Sequence, residues 1–597
     1  MKIIALISAA ILLSPGLQSP GPAPTTLSIT KVPGSDLIRI EVRKTGRHTL
    51  QIDDASSFQA PVVSRQFTGS HLELHANEAA LIPGISYNIR LDHDTQIYPL
   101  RLTDNLNGGE QLSCGTLRAT WQTTGRFLTG VAYSQLTWDE KDHRWTPRLP
   151  AVPIGESLYN TELVLRPALS AARACRDLQV MDEIALYYLA MLDKAEPVTE
   201  LLKKPNLTDE SRERMSTSDP RARTFTARFG SGNLGEGELY NAQWLHPAAL
   251  LLRLISQLPA QDRTPGMRTF AARFTPFIVK EQLLRFLFDQ KMPPLGGRPH
   301  RGRVEHWELA LQGLKGRLHW DTAMSDIDLW LIASSAELLG AQANGPDLFL
   351  IEKVNLAQLR RAVEVGVRFF QSKRTVYPDT LNFRSEKVGS VSYFNGDYDG
   401  NSELRGTAVS GEMYPGDDAP ARPGASWDIG HIYRVPIFLR ALYENRKVTG
   451  LTFPQYSDLQ LLVNQYIYKV FNGDYSRPLL RNNFDGSDGW FRVGYNGTGT
   501  GQPPSAYCNM HNPMRLCMTP GSIIGWPELR FVNPDLAHLE QVFIGMGLDE
   551  NPVTRAFIDR YYFWIAPFGL TMSEDKKVYG GAFYAIAAEN ADSISPN

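Results

Sequence analysis

The chain has 597 residues, of which 43% are hydrophobic and 21% are charged, and its formal net charge is −2. These proportions are typical of a globular protein and exclude a disordered, collagen-like or coiled-coil chain. A nearly neutral chain also lacks the basic surface that nucleic acid or an anionic membrane would require. Four cysteines without a CxxC spacing exclude a disulfide scaffold and a zinc-finger type of site.

The first 20 residues have the organisation of a signal peptide. Lys2 precedes an apolar run over 3–13, and small residues follow at 14–16. A basic start, an apolar centre and a small-residue cleavage site define a secretory signal peptide. The run is shorter than the ~20 apolar residues of a membrane span. We therefore expect a secreted or periplasmic protein that does not cross a membrane.

The four cysteines fall into two pairs. Disulfides persist in oxidising compartments, so an exported chain can form them. Cys508 and Cys517 lie close together in a segment rich in Gly, Pro and Asn, and we expect a bridge between them. Cys114 and Cys175 would then pair with each other or remain buried thiols.

Residues 26–105 have the pattern of a β-sandwich. Apolar and polar residues alternate over 37–42, 72–74 and 87–91, and turn-forming dipeptides separate these runs. Short alternating runs with regular turns are typical of the strands of a sandwich. The segment 81–87 also resembles the late loop-to-strand segment of fibronectin type III modules.

Residues 110–155 are predicted to be a linker or an extended segment, and 156–590 to form a helical domain. After residue 156, the apolar residues recur at the period of amphipathic helices, and we predict roughly ten of them. The predicted helices cover 160–173, 177–192, 241–258, 266–290, 325–340, 355–370, 426–446 and 456–470, and two more begin at Asn533 and Asn551. Ser325 and Asp328 form a capping-box pattern, and Gly340 marks the predicted end of that helix.

Two connections in the helical domain, 374–425 and 473–532, are much longer than usual. Both are rich in Gly, Asp, Asn and aromatic residues. Long structured loops inside a compact domain usually carry function. We therefore expect the functional residues to lie in these two loops.

The first loop contains the densest group of acids, Asp397, Asp399 and Glu403, next to Tyr398 and Asn401. One interpretation is a saccharide cleft, in which rings stack on aromatics and two carboxylates act as acid and base. A second interpretation is a calcium site with Asp397, Asp399, Asn401 and Glu403 as ligands, although the spacing is not that of an EF-hand. The third is a solvated turn.

The end of the first loop predicts a helix that Ser426 caps. Asp428, His431 and Arg434 then follow at a spacing of three and would form a polar ridge on one face. A carboxylate one turn from a histidine can orient the ring and raise its basicity. The alternative is a capped helix with a satisfied histidine and a surface arginine. Trp427 lies next to this group and favours the functional interpretation.

The second loop places acids, glycines and aromatic residues together over 482–496. This composition suits a sugar-binding loop, and the alternative is a tight turn at Asp485-Gly486. Three earlier groups, 235–240, 305–308 and 319–321, also combine acids with aromatics and are more often structural than catalytic. The sequence lacks the GxSxG, HExxH and Walker signatures, and no predicted strand leads into a GxGxxG of the dinucleotide-binding type.

This layout resembles that of secreted polysaccharide-degrading enzymes that carry an N-terminal β-sandwich module and an α/α-toroid catalytic domain. The resemblance covers the organisation of most of the chain. It implies a multi-domain, mainly α protein with an N-terminal β-sandwich followed by an (α/α) toroid-like helical domain. It also implies that loops at one end of the helix ring form the cleft, so 374–425 and 473–532 would lie there.

The leading hypothesis is a glycoside hydrolase that cleaves a polysaccharide or oligosaccharide with paired carboxylates. The catalytic candidates are Asp397, Asp399, Glu403, Glu412, Asp428 and His431. The predicted substrate-binding residues are Tyr398, Trp427, Tyr433, Arg434, Asp485, Asp488, Trp490, Arg492 and Tyr495. No cofactor is required by this chemistry, and calcium is the one metal that the acid pattern suggests.

Two alternatives stay open. A polysaccharide lyase or uronate epimerase on the same scaffold would abstract a proton and neutralise the carboxylate of a uronate. Its base would come from Tyr433, His431 or His511, and its carboxylate-binding group from Arg434, Arg492 or Asn509. A non-catalytic glycan-binding protein of the cell envelope would need the aromatic residues but not the acids.

Overall fold

The computed structural model of the protein describes residues 27–31, 37–53, 63–75, 86–91, 98–101, 113–132, 134–147, 157–229, 233–316, 322–383, 386–393, 427, 429–481, 483–486, 520–549, 551–562 and 588. Its contacts divide the chain into two units. The first comprises Met1–Ala79 and Ser86–Leu100, and the second Ala80–Ile85 and Arg101–Asn597.

The first unit contains one antiparallel sheet. Its strands are β1 (Leu27–Lys31), β2 (Leu37–Asp53), β3 (Val63–His75), β4 (Ser86–Leu91) and β5 (Tyr98–Arg101). The long strand β2 pairs with β1, β3 and β4, and β5 continues the sheet beyond β4. The alternating runs of the sequence are therefore confirmed as strands. The second layer of a sandwich stays a prediction, because the described strands form a single sheet.

The second unit is mainly helical, as predicted. Its helices are α1 (Cys114–Thr120), α2 (Ser157–Cys175), α3 (Leu178–Leu192), α4 (Val198–Leu202), α5 (Asp209–Met215), α6 (Glu238–Gln257), α7 (Pro265–Pro276), α8 (Gly302–Leu311), α9 (Asp326–Asn344), α10 (Lys353–Ser372), α11 (Arg434–Thr449), α12 (Tyr456–Gln465), α13 (Pro534–Leu548) and α14 (Pro552–Tyr561).

Short strand pairs connect these helices. They are β6 (Leu136–Asp139) with β7 (Arg144–Pro147), β8 (Glu196–Pro197) with β9 (Arg223–Thr224), β10 (Thr226–Phe229) with β11 (Asn233–Glu236), β12 (Lys291–Leu295) with β13 (Arg298–Arg301), and β14 (Arg374–Phe383) with β15 (Glu386–Tyr393). The last pair forms the start of the first long loop, where the sequence predicted irregular structure.

The predicted linker at 110–155 differs from the structure. Residues 114–132 are helical, and Trp121 is fully buried in the core of the second unit. The Trp121 indole donates to Glu183 of α3 at 2.7 Å, and the Arg126 guanidinium pairs with the same carboxylate at 2.6 Å. Such buried partners make this segment part of the helical unit. The extended prediction is wrong here because the apolar residues pack against α3.

Four helices, α2, α6, α9 and α11, lie side by side and run in the same direction. At their N-terminal ends, Arg434 of α11 contacts Tyr159 of α2, Gln243 of α6 and Asp326 of α9. Contacts between residues near the starts of all four helices require a parallel arrangement. We call α2, α6, α9 and α11 the inner helices.

Contacts at the opposite end of the inner helices agree with this direction. Arg253 near the end of α6 pairs with Glu337 of α9 and Glu444 of α11. Arg173 near the end of α2 also pairs with Glu444, at 3.2 Å. Helix α9 is buried from Asp328 to Ala341, whereas α10 buries one stripe and exposes Glu364. The inner helices therefore form a buried layer that amphipathic helices cover.

Sequence rules for helix ends succeeded where the cap is local. The capping box of Ser325 and Asp328 is present, and Asn533 and Asn551 cap α13 and α14. The predicted end at Gly340 is wrong, since α9 continues to Asn344. A Cβ atom at Gly340 would collide with the side chain of Asn445 in α11. This glycine therefore allows close packing of two inner helices and does not end a helix.

Cys114 and Cys175 form a disulfide that closes a loop across 61 residues. This settles the open alternative for that pair, whereas Cys508 and Cys517 lie outside the described residues. The bridge fastens the start of α1 to the end of α2. A disulfide in the helical unit is compatible with the expected export of the protein.

We predict that replacing Cys114 and Cys175 together by Ser lowers the free energy of unfolding by about 2–4 kcal/mol, because a long loop gains freedom in the unfolded chain. Urea unfolding followed by circular dichroism measures the change. The double variant Cys508→Ser/Cys517→Ser is the control, since its shorter loop predicts a smaller loss. An unchanged midpoint for the Cys114/Cys175 variant would contradict the prediction.

Candidate functional site

Most of the predicted site residues lie outside the described residues. These are Asp397, Tyr398, Asp399, Asn401, Glu403, Glu412, Asp428, Asp488, Trp490, Arg492, Tyr495, Asn509 and His511. The structure describes the other five, Trp427, His431, Tyr433, Arg434 and Asp485. Four of these five lie in one short stretch of chain, 427–434, which we call the entry turn because it leads into α11.

The entry turn is not the helix that the sequence predicted. Helix α11 begins at Arg434, and residues 429–433 form turns. The predicted ridge of Asp428, His431 and Arg434 on one helix face is therefore wrong. Prediction failed because Ile429, Ile432 and Tyr433 are all buried. Apolar residues on every side of this stretch favour a turn enclosed by the core over a helix with one polar face.

The first long loop leads into the entry turn, and the second long loop contacts it. The first loop ends directly before Trp427. The second loop begins beside it, because the Phe484 amide donates to the Trp427 carbonyl at 2.8 Å. A turn follows in which Gly486 has a φ of +87°, and it contains half-buried Asp485. The turn predicted at Asp485-Gly486 is therefore present.

The far end of the second loop also lies against the entry turn. A Cβ atom at Gly521 would collide with the Gly430 carbonyl oxygen, and one at Gly525 would lie 2.6 Å from the Tyr433 carbonyl oxygen. Gly525 also has a φ of +88°, which favours glycine. These two glycines let the returning chain approach the entry turn closely. The described residues on both sides of 487–519 therefore lie at the entry turn, into which 394–426 leads.

Below the entry turn, Arg434 joins the N-terminal ends of the inner helices. Its guanidinium lies 2.8 Å from a carboxylate oxygen of Asp326 and 3.4 Å from the Gln243 side-chain oxygen, and it donates to the Tyr159 hydroxyl. The Gln243 amide donates to the Tyr159 carbonyl at 2.7 Å and to the Tyr433 hydroxyl at 3.4 Å. We call these five residues the N-terminal cluster.

The charged groups of the N-terminal cluster suit its position at the N-terminal ends of helices. Helix N-termini carry a partial positive charge that favours carboxylates. Asp326 occupies the first turn of α9 and also faces the Arg434 guanidinium. Arg434 has no exposed surface, and Asp326 is 6% exposed. A buried guanidinium and a buried carboxylate therefore stabilise each other here, and the aromatic rings of Tyr433 and Tyr159 flank the cation.

Burial changes what two of the predicted residues can do. Trp427 is 1% exposed and Tyr433 is 3% exposed. A ring that stacks on a sugar needs an open face, so this burial favours a structural role for Trp427. Burial also raises the pKa of the Tyr433 hydroxyl well above its ordinary value, an effect that Arg434 opposes. Tyr433 is therefore suited to donate a hydrogen bond and poorly suited to abstract a proton.

A buried acid next to the cluster was missed by sequence reasoning. Glu162 of α2 has no exposed surface, and burial raises the pKa of its carboxyl despite the Arg166 guanidinium at 2.6 Å. Tyr159, Gln243, Asp326 and Glu162 belong to three helices far apart in sequence. No local motif connects them, and only the parallel packing of the helices brings them together.

The earlier acid and aromatic groups are structural in the described residues. Glu236 pairs with Arg285 at 2.5 Å, and Glu238 pairs with Arg303 at 2.9 Å. The remaining contacts of these groups are Arg298 with Glu305, His300 with His306, the Trp307 indole with Asp328, and Arg361 with Glu308. Residues 319–321 lie outside the described part of the chain.

The described residues contain neither a metal-binding group nor a membrane-spanning helix. Within the described ranges, no group of three or more His, Cys, Asp or Glu side chains is arranged to hold a metal ion. The calcium candidate, 397–403, lies outside those ranges. None of the helices that the structure describes is both long and apolar enough to cross a membrane.

We predict that Asp326→Asn and Arg434→Met each lower the free energy of unfolding by about 3–5 kcal/mol, because each leaves one buried charge without its partner. The double variant should lose less than the sum of the two. Urea unfolding of the four proteins measures this coupling.

The pair of Arg361 and Glu308 serves as the control for that cycle. Its arginine is 58% exposed, so the same cycle there should give a coupling of at most about 1 kcal/mol. Strictly additive losses for Asp326 and Arg434 would show that the two side chains do not stabilise each other.

No family model matches the chain, and no curated protein matches it in sequence. Among solved structures, the chain is similar to a beta-1,2-glucanase from Parabacteroides distasonis. The similarity has a TM-score of 0.30 and 9% identity, and it covers 95% of this chain and 69% of that chain. A likeness at this TM-score carries no argument about the fold or the activity of this protein.

Proposed function

We propose that the protein is an exported carbohydrate-active enzyme, a glycoside hydrolase that cleaves a polysaccharide with paired carboxylates. One observation supports this most directly: the second long loop contacts the entry turn on both sides of 487–519, and the first long loop leads directly into that turn. The Phe484 amide reaches Trp427, and Gly521 and Gly525 lie against Gly430 and Tyr433. The second loop is therefore held beside the C-terminal end of the acid-rich first loop.

The N-terminal cluster supplies the rigid base of the proposed site. Preorganised groups lower the cost of orienting a substrate only if their own positions are fixed. Arg434 is fully buried and held by Asp326, Tyr159 and Gln243. We therefore assign Arg434 a positioning role in the proposal, since its two terminal nitrogens face Asp326, Tyr159 and Gln243. It fixes the entry turn to which the two loops are attached.

The chemistry would come from the acids of the first loop and the residue next to Trp427. Hydrolysis of a glycosidic bond needs one protonated carboxyl for the leaving group and one ionised carboxyl for water or for the sugar carbon. The pool is Asp397, Asp399, Glu403, Glu412 and Asp428, with His431 beside it. A separation of about 5 Å between the two carboxyls would give a retaining enzyme, and roughly 6.5–9.5 Å an inverting one.

Two properties of the described residues favour a hydrolase over a lyase. A lyase would use Tyr433 as a base, but burial raises the pKa of its hydroxyl. It would use Arg434 to neutralise a uronate, but that guanidinium faces Asp326 at 2.8 Å. A lyase would have to depend on His431 or His511 with Arg492 or Asn509. A calcium ion at 397–403 remains part of the proposal. So do the predicted substrate-binding residues other than Trp427, Tyr433 and Arg434.

The test is a panel of neutral and uronic polysaccharides incubated with the protein. We predict new reducing ends without the ultraviolet-absorbing unsaturated ends that a lyase produces. Of the variants Asp397→Asn, Asp399→Asn, Glu403→Gln, Glu412→Gln and Asp428→Asn, two should lower kcat by about 10²–10⁴-fold, because each removes an acid or base.

Two exposed acids serve as matched controls. Asp142→Asn and Glu364→Gln alter the same chemical groups on exposed surfaces and should leave kcat unchanged. The appearance of unsaturated ends would contradict the hydrolase proposal and show that the protein is a lyase. Glycan binding without turnover, with the same affinity in all five variants, would also contradict the hydrolase proposal and show a glycan-binding protein.

A further inference from the structure

A recess lies between the inner helices, and it extends from their middle, at Arg166, His246 and Ile437, toward their C-terminal ends, at Arg173, Arg253 and Glu444. Its cavity volume is about 20 Å³, enough for one water-sized group. Residues of all four inner helices line it together with Glu528 of the second long loop, and its apolar residues include Leu169, Leu250, Leu254 and Ile437. None of the described residues that the sequence singled out lines it. Its polar groups therefore need a separate explanation.

The recess contains three carboxylates, Glu337, Glu444 and Glu528, and each already accepts hydrogen bonds. Glu528 accepts from Arg166 at 2.9 Å and from Ser170 at 3.1 Å. Glu444 accepts from Arg173, Arg253 and Arg440. Burial would raise the pKa of the Glu444 carboxyl, but Arg440, Arg253 and Arg173 together hold it well below its ordinary value. Glu337 accepts from Arg253 and from the Asn445 amide at 3.0 Å. These acids therefore have little capacity left to accept further hydrogen bonds.

Donors, by contrast, remain unused. Arg253 directs its Nε and one terminal nitrogen to Glu337 and Glu444, and no hydrogen bond within the described residues uses its other terminal nitrogen, Nη1. Its side chain is only 6% exposed. His246 is 2% exposed, and neither ring nitrogen has a hydrogen-bond partner in the described part of the protein. Both residues line the recess.

The imidazole of His246 is neutral and lies in a positive field. Burial against Trp330, whose ring centre is 5.0 Å away, removes water from it. Burial, Arg166 and Arg253, in that order, lower the pKa of His246 to about 3. A neutral imidazole carries one N–H donor. The recess therefore combines a nearly buried guanidinium, an imidazole donor and apolar walls, and no described residue accepts a hydrogen bond from Arg253 Nη1 or from His246.

We propose that this recess binds a small monovalent anion of the chloride type, held by Arg253 Nη1 and by the N–H of His246. A monovalent, weakly hydrated anion loses less on transfer to apolar walls than phosphate or sulfate does. None of the five residues of the N-terminal cluster lines the recess. The inference is independent of the proposed function.

The first experiment is a titration of the full chain with sodium chloride at constant ionic strength, with sodium gluconate as the balancing salt. Binding to the folded state should raise the thermal midpoint with saturation. His246→Phe keeps the ring against Trp330 and removes the N–H, so the chloride affinity should fall at least tenfold. His538→Phe is the control, since exposed His538 also stacks on an aromatic ring, that of Tyr475 at 4.4 Å.

The second experiment does not depend on any variant. Crystals of the wild-type protein soaked in sodium bromide should show an anomalous peak in the recess within contact distance of Arg253 and His246. Peaks only on exposed side chains would overturn the proposal. So would a midpoint that responds to sulfate or phosphate but not to chloride, or a His246→Phe variant with wild-type chloride affinity.

Discussion

The contact between Arg434 and Asp326 is the interaction on which the site depends. It joins the first residues of α9 and α11, and Tyr159 and Gln243 extend it to α2 and α6. Because both groups are buried, removal of either one leaves the other charge unpaired and destabilises the fold. The parallel inner helices thereby acquire a fixed N-terminal end, and the chain that enters α11 acquires a fixed position.

The polar groups of the inner helices divide the buried layer into two ends with different chemistry. At the N-terminal end, one cation is surrounded by a carboxylate, an amide and two phenols. At the C-terminal end, Arg173, Arg253 and Arg440 share Glu444, and His246 has no partner among the described residues. The entry turn lies at the first end, and the recess extends toward the second. One helix layer therefore supports two proposals that can fail separately.

Sequence reasoning succeeded where the determining interaction is local. The Asn533 and Asn551 caps, the Ser325 capping box and the period of α10 depend on residues within one or two turns, so the sequence contains them. It failed at Gly340 and in the entry turn because distant partners decide there. Asn445 explains the glycine, and burial on all sides explains the turn.

The candidate site shows the same division. The composition of the two long loops predicted a shared site, and the second loop does contact the entry turn to which the first loop leads. The N-terminal cluster was not predictable, because its members come from four helices and follow no spacing rule. The sequence alone therefore gives candidate acids. It does not show which distant residues the fold brings beside them.

The most direct test of the account is the distance between the two long loops. Spin labels at Asn401→Cys and Asn496→Cys, in a Cys508→Ser/Cys517→Ser background, would be compared by pulsed dipolar spectroscopy with a pair at Asn401→Cys and exposed Gln257→Cys at the end of α6. If the loops form one sugar-sized groove, the first distance is below about 25 Å and shorter than the second. A first distance above about 40 Å would contradict a shared site.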